Sequence, residues 1–308
     1  MKKPRTKKLF GTIALIILIA VTSLAVLNLD FLLRGFRRLQ NGTLRLGHIR
    51  NELSAYDLGQ PIPDTPTNAK KSQMDGMIQL NIPASEFIMG EGNKKDHIPQ
   101  FEAPSHVVYL DQFWMDRVEV TNAMYELCVT TKGCTNPADV NIYYGKWIYR
   151  DHPVVYVTWY QADEYCQWAG RRLPTEAEWE KSARGIDGQR YPWGNTDPNS
   201  KLANFTETLI NESISSYLYP LGASPYGILN MSGNVREWVA DWYDANYYSD
   251  SPYSNPKGPD LGTYKSLRGG SYMEEYSEIA VYRRYHHAPQ SPGLNRGFRC
   301  AQTGSENK

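Results

Sequence analysis

The polar side chains best placed to do chemistry lie in the last forty residues of the chain. Glu274, Glu275, His286 and His287 carry oxygen and imidazole donors, which could hold a metal ion harder than copper(I). No helical spacing supports a shared site, however. We therefore favour a simpler interpretation, in which the two histidines lie in a polar loop and the two glutamates are exposed to solvent.

The same stretch carries an adjacent pair of arginines, Arg283 and Arg284. Two guanidinium groups could anchor an anionic ligand, although we favour structural salt bridges. Gly269 and Gly270 open the stretch and Gly297 closes it. Because glycine allows positive φ and close backbone approach, we expect this segment to form the wall of a site or a folded polar core.

A set of oxygen donors precedes this stretch. Calcium prefers six to eight oxygen ligands from carboxylates, amides and backbone carbonyl groups. Asn230 and Glu237 supply side-chain oxygens, and a tight glycine turn between them could aim the carbonyl groups of Gly233 and Val235 inward. The pattern therefore predicts a structural calcium ion. The alternative is a turn and helix cap in which Glu237 forms a salt bridge.

Short strands and a helix are predicted at the start of the folded part. Residues 77–90 contain short apolar runs, which predict two strands, and residues 107–120 alternate in part, which predicts one more. Thr121 can cap a helix that runs toward residue 131. These elements would form the support behind the polar stretch.

Two further helices have capping-box start signals. Thr158 is followed three residues later by Gln161, which predicts a helix over residues 159–169, and Thr175 is followed by Glu178. The acidic residues of the later helix are expected to favour its positive N-terminal end and to face solvent. They are Glu176, Glu178 and Glu180.

The N-terminal segment is predicted to anchor the chain in a membrane. No residue from 9 to 29 is charged, and about 20 apolar residues span a bilayer as a helix. Cleavage of a signal peptide is the alternative. The predicted segments are a cytoplasmic basic flank (1–8), a transmembrane signal anchor (9–30), a juxtamembrane helix and proline-rich linker (31–73), a folded domain (74–303) and a tail (304–308). We expect the folded domain outside the cytoplasm.

Charge is unevenly distributed along the chain. The formal net charge is zero, but residues 1–40 carry eight Lys or Arg and one acidic residue. The remainder then holds 25 basic and 32 acidic residues, a net charge of −7. An acidic folded part argues against nucleic acid as a partner.

The cysteines indicate an oxidising compartment. Cys128 and Cys134 flank the end of the first predicted helix, where Gly133 allows the chain to turn back, and we expect them to form a disulfide bond. The total of four permits full pairing, which is typical of proteins outside the cytoplasm. Four buried thiols in a cytosolic protein are the alternative. A zinc site is not supported, because no pair of cysteines or histidines has the required spacing.

Three separated motifs resemble the formylglycine-generating enzyme family of sulfatase-modifying factor domains. They are AGRRLPTEAEWEKSARG from residue 169, GILNMSGNVREWVADWY from residue 227, and RGGSYM with GFRCA near the end. The resemblance implies an α+β, C-type-lectin-like fold with much ordered loop. Residues 191–226 are rich in Pro, Gly, Asn and Ser and have no long periodic run, which predicts a loop. The resemblance also implies a disulfide bond between Cys166 and Cys300.

In active members, the resemblance implies an oxidase that converts a sulfatase cysteine to formylglycine with copper held by two cysteines. Those positions align at Glu274 and near Ile279, and neither is cysteine. Copper is therefore not expected. The resemblance also implies a substrate cleft lined by Ser271 and Asn295, with Glu274 beside them.

The resemblance places calcium at the four donors from Asn230 to Glu237. It also implies a second calcium site, which would begin at Asn204 and the carbonyl group of Phe205. The loop that follows is shorter here, so the remaining carboxylate of that site cannot be placed. Either ion would be structural.

The motifs of the family are present, but its two copper-binding cysteines are absent. We therefore predict a membrane-anchored, calcium-stabilised module that binds a protein segment or glycan and has no cysteine-oxidase activity. The alternative is an oxidoreductase of the same class with a different metal mechanism, whose iron or copper would depend on Glu274 or His286. A third hypothesis is a structural module whose cleft is filled by side chains.

Overall fold

The computed structural model describes residues 68–92, 101–138 and 143–304. The predicted anchor at residues 9–30 lies outside them, as does most of the predicted linker. Within the described ranges, no helix is both long and apolar enough to cross a bilayer.

The first sheet is antiparallel and brings together both ends of the folded domain. Its strands in spatial order are β1 (Ala69–Lys71), β2 (Ile78–Ile82), β5 (Phe113–Asp116) and β10 (Ala301–Thr303). Leu80 and Met115 pair across β2 and β5 and are fully buried. Strand β1 belongs to the segment that the sequence assigned to the linker, so the folded domain begins by residue 69.

A hairpin of β3 (Ser85–Met89) and β4 (His106–Leu110) forms the second sheet. Two strands over residues 77–90 were predicted, and β2 and β3 confirm them. The prediction of a single strand over residues 107–120 is wrong. Asp111 and Gln112 are exposed and separate β4 from β5, which belong to different sheets.

The third sheet carries most of the C-terminal motifs. Its strands in spatial order are β8 (Tyr285–His287), β7 (Lys265–Arg268), β6 (Arg236–Trp242) and β9 (Arg296–Phe298). Trp238 of β6 pairs with Leu267 of β7 and with Phe298 of β9, and all three are fully buried. Because side chains alternate along a strand, Arg236 and Arg296 leave the same face as Trp238 and Phe298.

Three helices start where the sequence predicts. They are α1 (Asn122–Thr130), α2 (Trp159–Trp168) and α3 (Glu176–Arg184); a fourth, α4 (Tyr247–Asp250), is a single turn. Thr158 with Gln161, and Thr175 with Glu178, form both hydrogen bonds of a capping box. Residues 191–226 contain only short 3₁₀ turns and bridges, as the loop prediction requires.

Helix α3 is buried on all sides, so the prediction of a solvated face is wrong. Glu176, Glu178 and Glu180 are only 2%, 8% and 0% exposed. Glu176 pairs with Arg284 at 2.8 Å, and Glu180 pairs with Arg268 at 2.6 Å. Charged side chains are rarely this buried unless they are paired, and here both arginines come from the C-terminal stretch.

Both predicted disulfide bonds are present. Cys128 pairs with Cys134 and Cys166 with Cys300, with Cα atoms 5.3 and 5.6 Å apart. The second bond ties α2 to the segment just before β10. All four cysteines of the chain are used, so none carries a free thiol.

Candidate functional site

At the first predicted calcium site, the carboxylate ligand Glu237 contacts other side chains of the protein. Glu237 is fully buried, and both of its oxygens accept hydrogen bonds from Arg299 at 2.7 Å. Trp179 donates its indole N–H to Glu237 Oε2 at 2.8 Å. The salt bridge of the alternative interpretation is therefore present, but its helix cap is not, because Glu237 lies in β6. Glu237 thus has a cationic partner in Arg299, and calcium at this set stays a prediction.

The other end of this set lies in a buried amide network. Asn230 donates its Nδ2 to Glu119 at 3.2 Å, and Asn234 donates its own to the other Glu119 oxygen at 2.8 Å. Burial raises the pKa of Glu119 to about 7, with Glu237 acting in the same direction and Arg299 against it. The network is satisfied within the protein, and calcium at Gly233 and Val235 stays a prediction.

The second calcium set is engaged in the same way. Asn204 donates its Nδ2 to the Glu212 carbonyl at 2.9 Å and accepts from the Thr208 hydroxyl at 3.0 Å. That hydroxyl also donates to the Phe205 carbonyl. Gly233 lies against this turn with φ +79°, where a Cβ would come within 2.2 Å of the Asn204 carbonyl oxygen. Glycine is therefore required to join the two motifs.

The structure brings together the three residues predicted to line the cleft. Ser271 donates its hydroxyl to Glu274 and accepts from Asn295 Nδ2 at 3.2 Å. Ser271 is fully buried, whereas the Glu274 side chain is 12% exposed. Glu274 therefore covers Ser271, and any ligand at this point would contact Glu274 first.

An arginine that the sequence did not single out completes the site. Arg236 Nη2 lies 2.6 Å from Glu274 Oε1, and its guanidinium stacks 4.0 Å from the centre of the Tyr285 ring. The Glu274 carboxylate, which the resemblance predicts at the position of a copper-binding cysteine, is thus neutralised by an ion pair. The expectation that Glu274 is exposed is wrong for this reason, while Glu275 is exposed as predicted.

The position that the resemblance predicts for the second cysteine, Ile279, offers no ligand. Ile279 is fully buried and packs with Tyr191, Ala203, Phe205 and Ala280. An apolar side chain in an apolar cluster supports the loop rather than a metal ion.

The histidines lie in β8, not in a loop. His286 is exposed and stacks on Tyr243 with ring centres 4.1 Å apart, and His287 is half-buried. Across the described part of the chain, no three His, Cys, Asp or Glu side chains converge well enough to share a metal ion. Glu274 is instead bound to Ser271 and Arg236.

The arginine pair is structural, as we expected. Arg283 contacts Glu102 at 3.1 Å and Glu278 at 2.6 Å, while Arg284 is held by Glu176. These contacts join the C-terminal stretch to the start of the domain. Neither arginine is available as the main anchor of an anionic ligand.

A cavity of about 520 Å³ lies away from this site. Its walls include Trp159 and Lys265, with the Lys265 ammonium 4.0 Å from the centre of the Trp159 ring and donating to the Ala240 carbonyl. Arg172 and Glu178 line it as an ion pair. Lys265 and the Arg172–Glu178 pair already have partners within the protein, so we place the candidate site at Ser271, where the resemblance predicts a cleft, rather than here.

A family model for the sulfatase-modifying factor enzyme 1-like domain matches residues 63–304. The formylglycine-generating enzyme of Streptomyces coelicolor is 32% identical over 277 residues, covering 72% of this chain and 88% of that protein. Hercynine oxygenase of Mycolicibacterium smegmatis is also 32% identical, covering 73% of this chain and 62% of its own length.

The solved structures agree with this assignment at the level of fold. PvdO from Pseudomonas aeruginosa superimposes with a TM-score of 0.65 at 24% identity, covering 77% of this chain and 98% of PvdO. The mixture of short strands, helices and ordered loops is therefore a recurring architecture.

Proposed function

The chain belongs to the family of sulfatase-modifying factor enzyme 1-like domains, and we propose that it is a binding module of that family without cysteine-oxidase activity. The observation that carries the proposal is the Glu274–Arg236 ion pair at the position aligned with a copper-binding cysteine. With all four cysteines in disulfide bonds, no thiolate remains to hold copper(I).

The proposed ligand is a protein segment or glycan that rests on the surface above Glu274. Met273 and Tyr276 stand at the rim with 56% and 46% of their surface exposed. Exposed aromatic and methionine side chains beside a buried polar centre are typical of binding surfaces. Asn295 and Ser271 would position Glu274 from below.

The proposal includes a membrane anchor at residues 9–30, which holds the domain outside the cytoplasm. The uncharged segment and its basic flank support it, and the two disulfide bonds favour an oxidising compartment. Extraction of membranes with carbonate and then detergent would test the anchor. Calcium is not part of this proposal, because its predicted donors have protein partners.

Oxygen consumption tests the absence of oxidase activity. The full chain, with disulfides formed and copper added, should consume no oxygen with a cysteine-containing peptide. A copper-loaded formylglycine-generating enzyme serves as the positive control. Copper-dependent turnover by this chain would refute the proposal.

Site-directed photo-cross-linking tests the binding surface. A benzophenone amino acid at Met273 should capture a ligand in the native cell, whereas the same group at Leu261, which is 85% exposed, is the matched control. Captured material should disappear when Asn295→Ala is added. Equal capture at both positions would refute binding at this surface. The absence of any capture would favour a purely structural module, and the burial of Ser271 is the observation that supports that alternative.

The similarity to hercynine oxygenase keeps a second candidate, an oxidoreductase with a different metal mechanism. Elemental analysis of the purified chain tests it. Stoichiometric iron or copper that is lost in Glu274→Ala or His286→Ala would favour this candidate over the binding module. Absence of both metals would remove it.

A further inference from the structure

Two arginines lie side by side at the edge of the candidate site. Arg236 in β6 and Arg296 in β9 are direct partners in a parallel register, so their side chains leave the same face of the sheet. Glu274 contacts Arg236. No carboxylate of the described residues lies within 4.0 Å of the Arg296 guanidinium. Like charges on neighbouring strands destabilise a sheet, so this pairing needs an explanation.

The Arg296 guanidinium is held in place by the loop before β9. Its Nη1 donates to the carbonyl oxygens of Ser291 and Pro292, each at 3.1 Å. The group lies flat against Gly293, where a Cβ would come within 2.9 Å of Arg296 Cζ. The side chain is therefore positioned by neutral contacts, which leave its positive charge uncompensated.

Both arginines have an unused donor. The Nε atoms of Arg236 and Arg296 are buried and have no hydrogen-bond acceptor among the described residues. Native structures normally supply an acceptor to a buried donor from protein, water or a ligand. The Arg236 side chain is 20% exposed, so an anion beside the accessible N–H groups of the two guanidinium groups would compensate their charge.

His287 supplies a third donor on the same face of the sheet. Its Nδ1 accepts from the Ala288 backbone N–H at 3.0 Å, so the neutral ring carries its proton on Nε2. Burial lowers the pKa of His287, and Arg296, His286 and Arg236 act in the same direction. These groups surround His287 with positive charge.

We propose that Arg236, Arg296 and His287 form an anion subsite, which takes one carboxylate of the bound protein segment. The carboxylate can come from an acidic side chain or from a C terminus. Two guanidinium groups against Glu274 leave one net positive charge, and a single carboxylate neutralises it. A doubly charged phosphate would leave an excess negative charge beside Glu274. Planar guanidinium groups match carboxylate geometry. The role in segment binding rests on the proposed function, whereas the subsite itself does not.

Arginine side-chain NMR tests the subsite with sodium acetate as the probe. In the full chain labelled with ¹⁵N, the Nε–H signals of Arg236 and Arg296 should shift together and saturate in the millimolar range. Sodium chloride at equal ionic strength should leave them unchanged. Arg296→Gln should abolish the response. Arg172→Gln removes an arginine that is already paired with Glu178, and this matched control should keep the response.

Folding must be separated from binding in the Arg236 variant. Arg236→Gln leaves Glu274 without its partner, so the double variant Arg236→Gln with Glu274→Gln provides a neutral pair. This variant should fold, as judged by circular dichroism, and should lose the acetate response. A folded double variant that keeps the full response would overturn the assignment of Arg236.

The remaining outcomes distinguish the subsite from the proposed function. Absence of an acetate-specific shift up to about 100 mM overturns the subsite, and a shift with inorganic phosphate alone overturns its assignment to carboxylates. An acetate response without any capture at Met273 supports the subsite and counts against the proposed function. Capture that is unchanged by Arg296→Gln supports the proposed function and overturns the use of the subsite by the segment.

Discussion

Replacing Glu176 with glutamine should destabilise the domain by about 3 kcal/mol at pH 7. The Glu176 carboxylate is 2% exposed and accepts from Arg268 at 2.9 Å and from Arg284 at 2.8 and 2.9 Å. Burial alone would raise its pKa, but Arg284 and Arg268 outweigh burial and lower the pKa from 4.5 to about 2. That difference corresponds to about 3 kcal/mol, and breaking a buried ion pair typically costs about 3–5 kcal/mol.

The pH dependence of this loss has a definite sign. Because the pKa of Glu176 is lower in the folded state than in the unfolded state, its stabilising effect is fully present above about pH 4.5. The effect disappears as the pH falls through about 2. The difference in free energy of unfolding between wild type and Glu176→Gln should therefore shrink to roughly 1.5 kcal/mol near pH 3.

Urea denaturation, followed by tryptophan fluorescence on the full chain, measures both values. Glu178→Gln is the matched control on the same helix, since Glu178 pairs with the partly exposed Arg172 and completes the capping box. Its loss should be about 1 kcal/mol. A loss below about 1 kcal/mol for Glu176→Gln at pH 7, or one that does not change between pH 7 and pH 3, would refute the reasoning.

Replacing both Cys166 and Cys300 with alanine should cost about 5 kcal/mol in the chain-entropy model, because 134 residues separate them. The same change at Cys128 and Cys134, only six residues apart, should cost about 2.5 kcal/mol, and equal losses in urea would contradict this account. Asp241→Asn should stabilise the domain progressively as the pH rises from about 4 to 8, since burial raises the pKa of Asp241 to about 8 and its ionisation opposes folding; a thermal-shift difference that does not change over that range would count against it. Adding calcium after chelation should move Tm by less than about 1 °C, and a rise of several degrees would support the calcium prediction.

Local sequence signals predicted the helices because helix starts depend on residues three or four positions apart. Thr158 with Gln161, and Thr175 with Glu178, form the capping boxes that their spacing indicates. Local patterns did not predict that the acidic residues of α3 are buried. Arg268 and Arg284, which pair with two of these glutamates, lie 88–108 residues later, and no local pattern reveals such a pairing. Glu180 also has a local partner in Arg184, four residues later.

The sequence likewise predicted only part of the candidate site. The resemblance implied a cleft at Ser271, Glu274 and Asn295, and the structure places these side chains in hydrogen-bond contact. The binding of a ligand there stays a prediction. The resemblance did not indicate Arg236 or Arg296, because their pairing depends on the register of β6 against β9. A one-residue difference in that register would turn each side chain to the other face of the sheet.

The final strands also constrain how the protein can be made. Strand β5 lies between β2 and β10, and β6 lies between β7 and β9, so two of the sheets lack a neighbour until residues 296–303 have been synthesised. Until then, β5 and β6 present open edges that invite pairing with other chains. Pairings this distant in sequence also fold slowly. We therefore expect the chain to depend on chaperones until β9 and β10 are available, since two of its sheets cannot be completed without them.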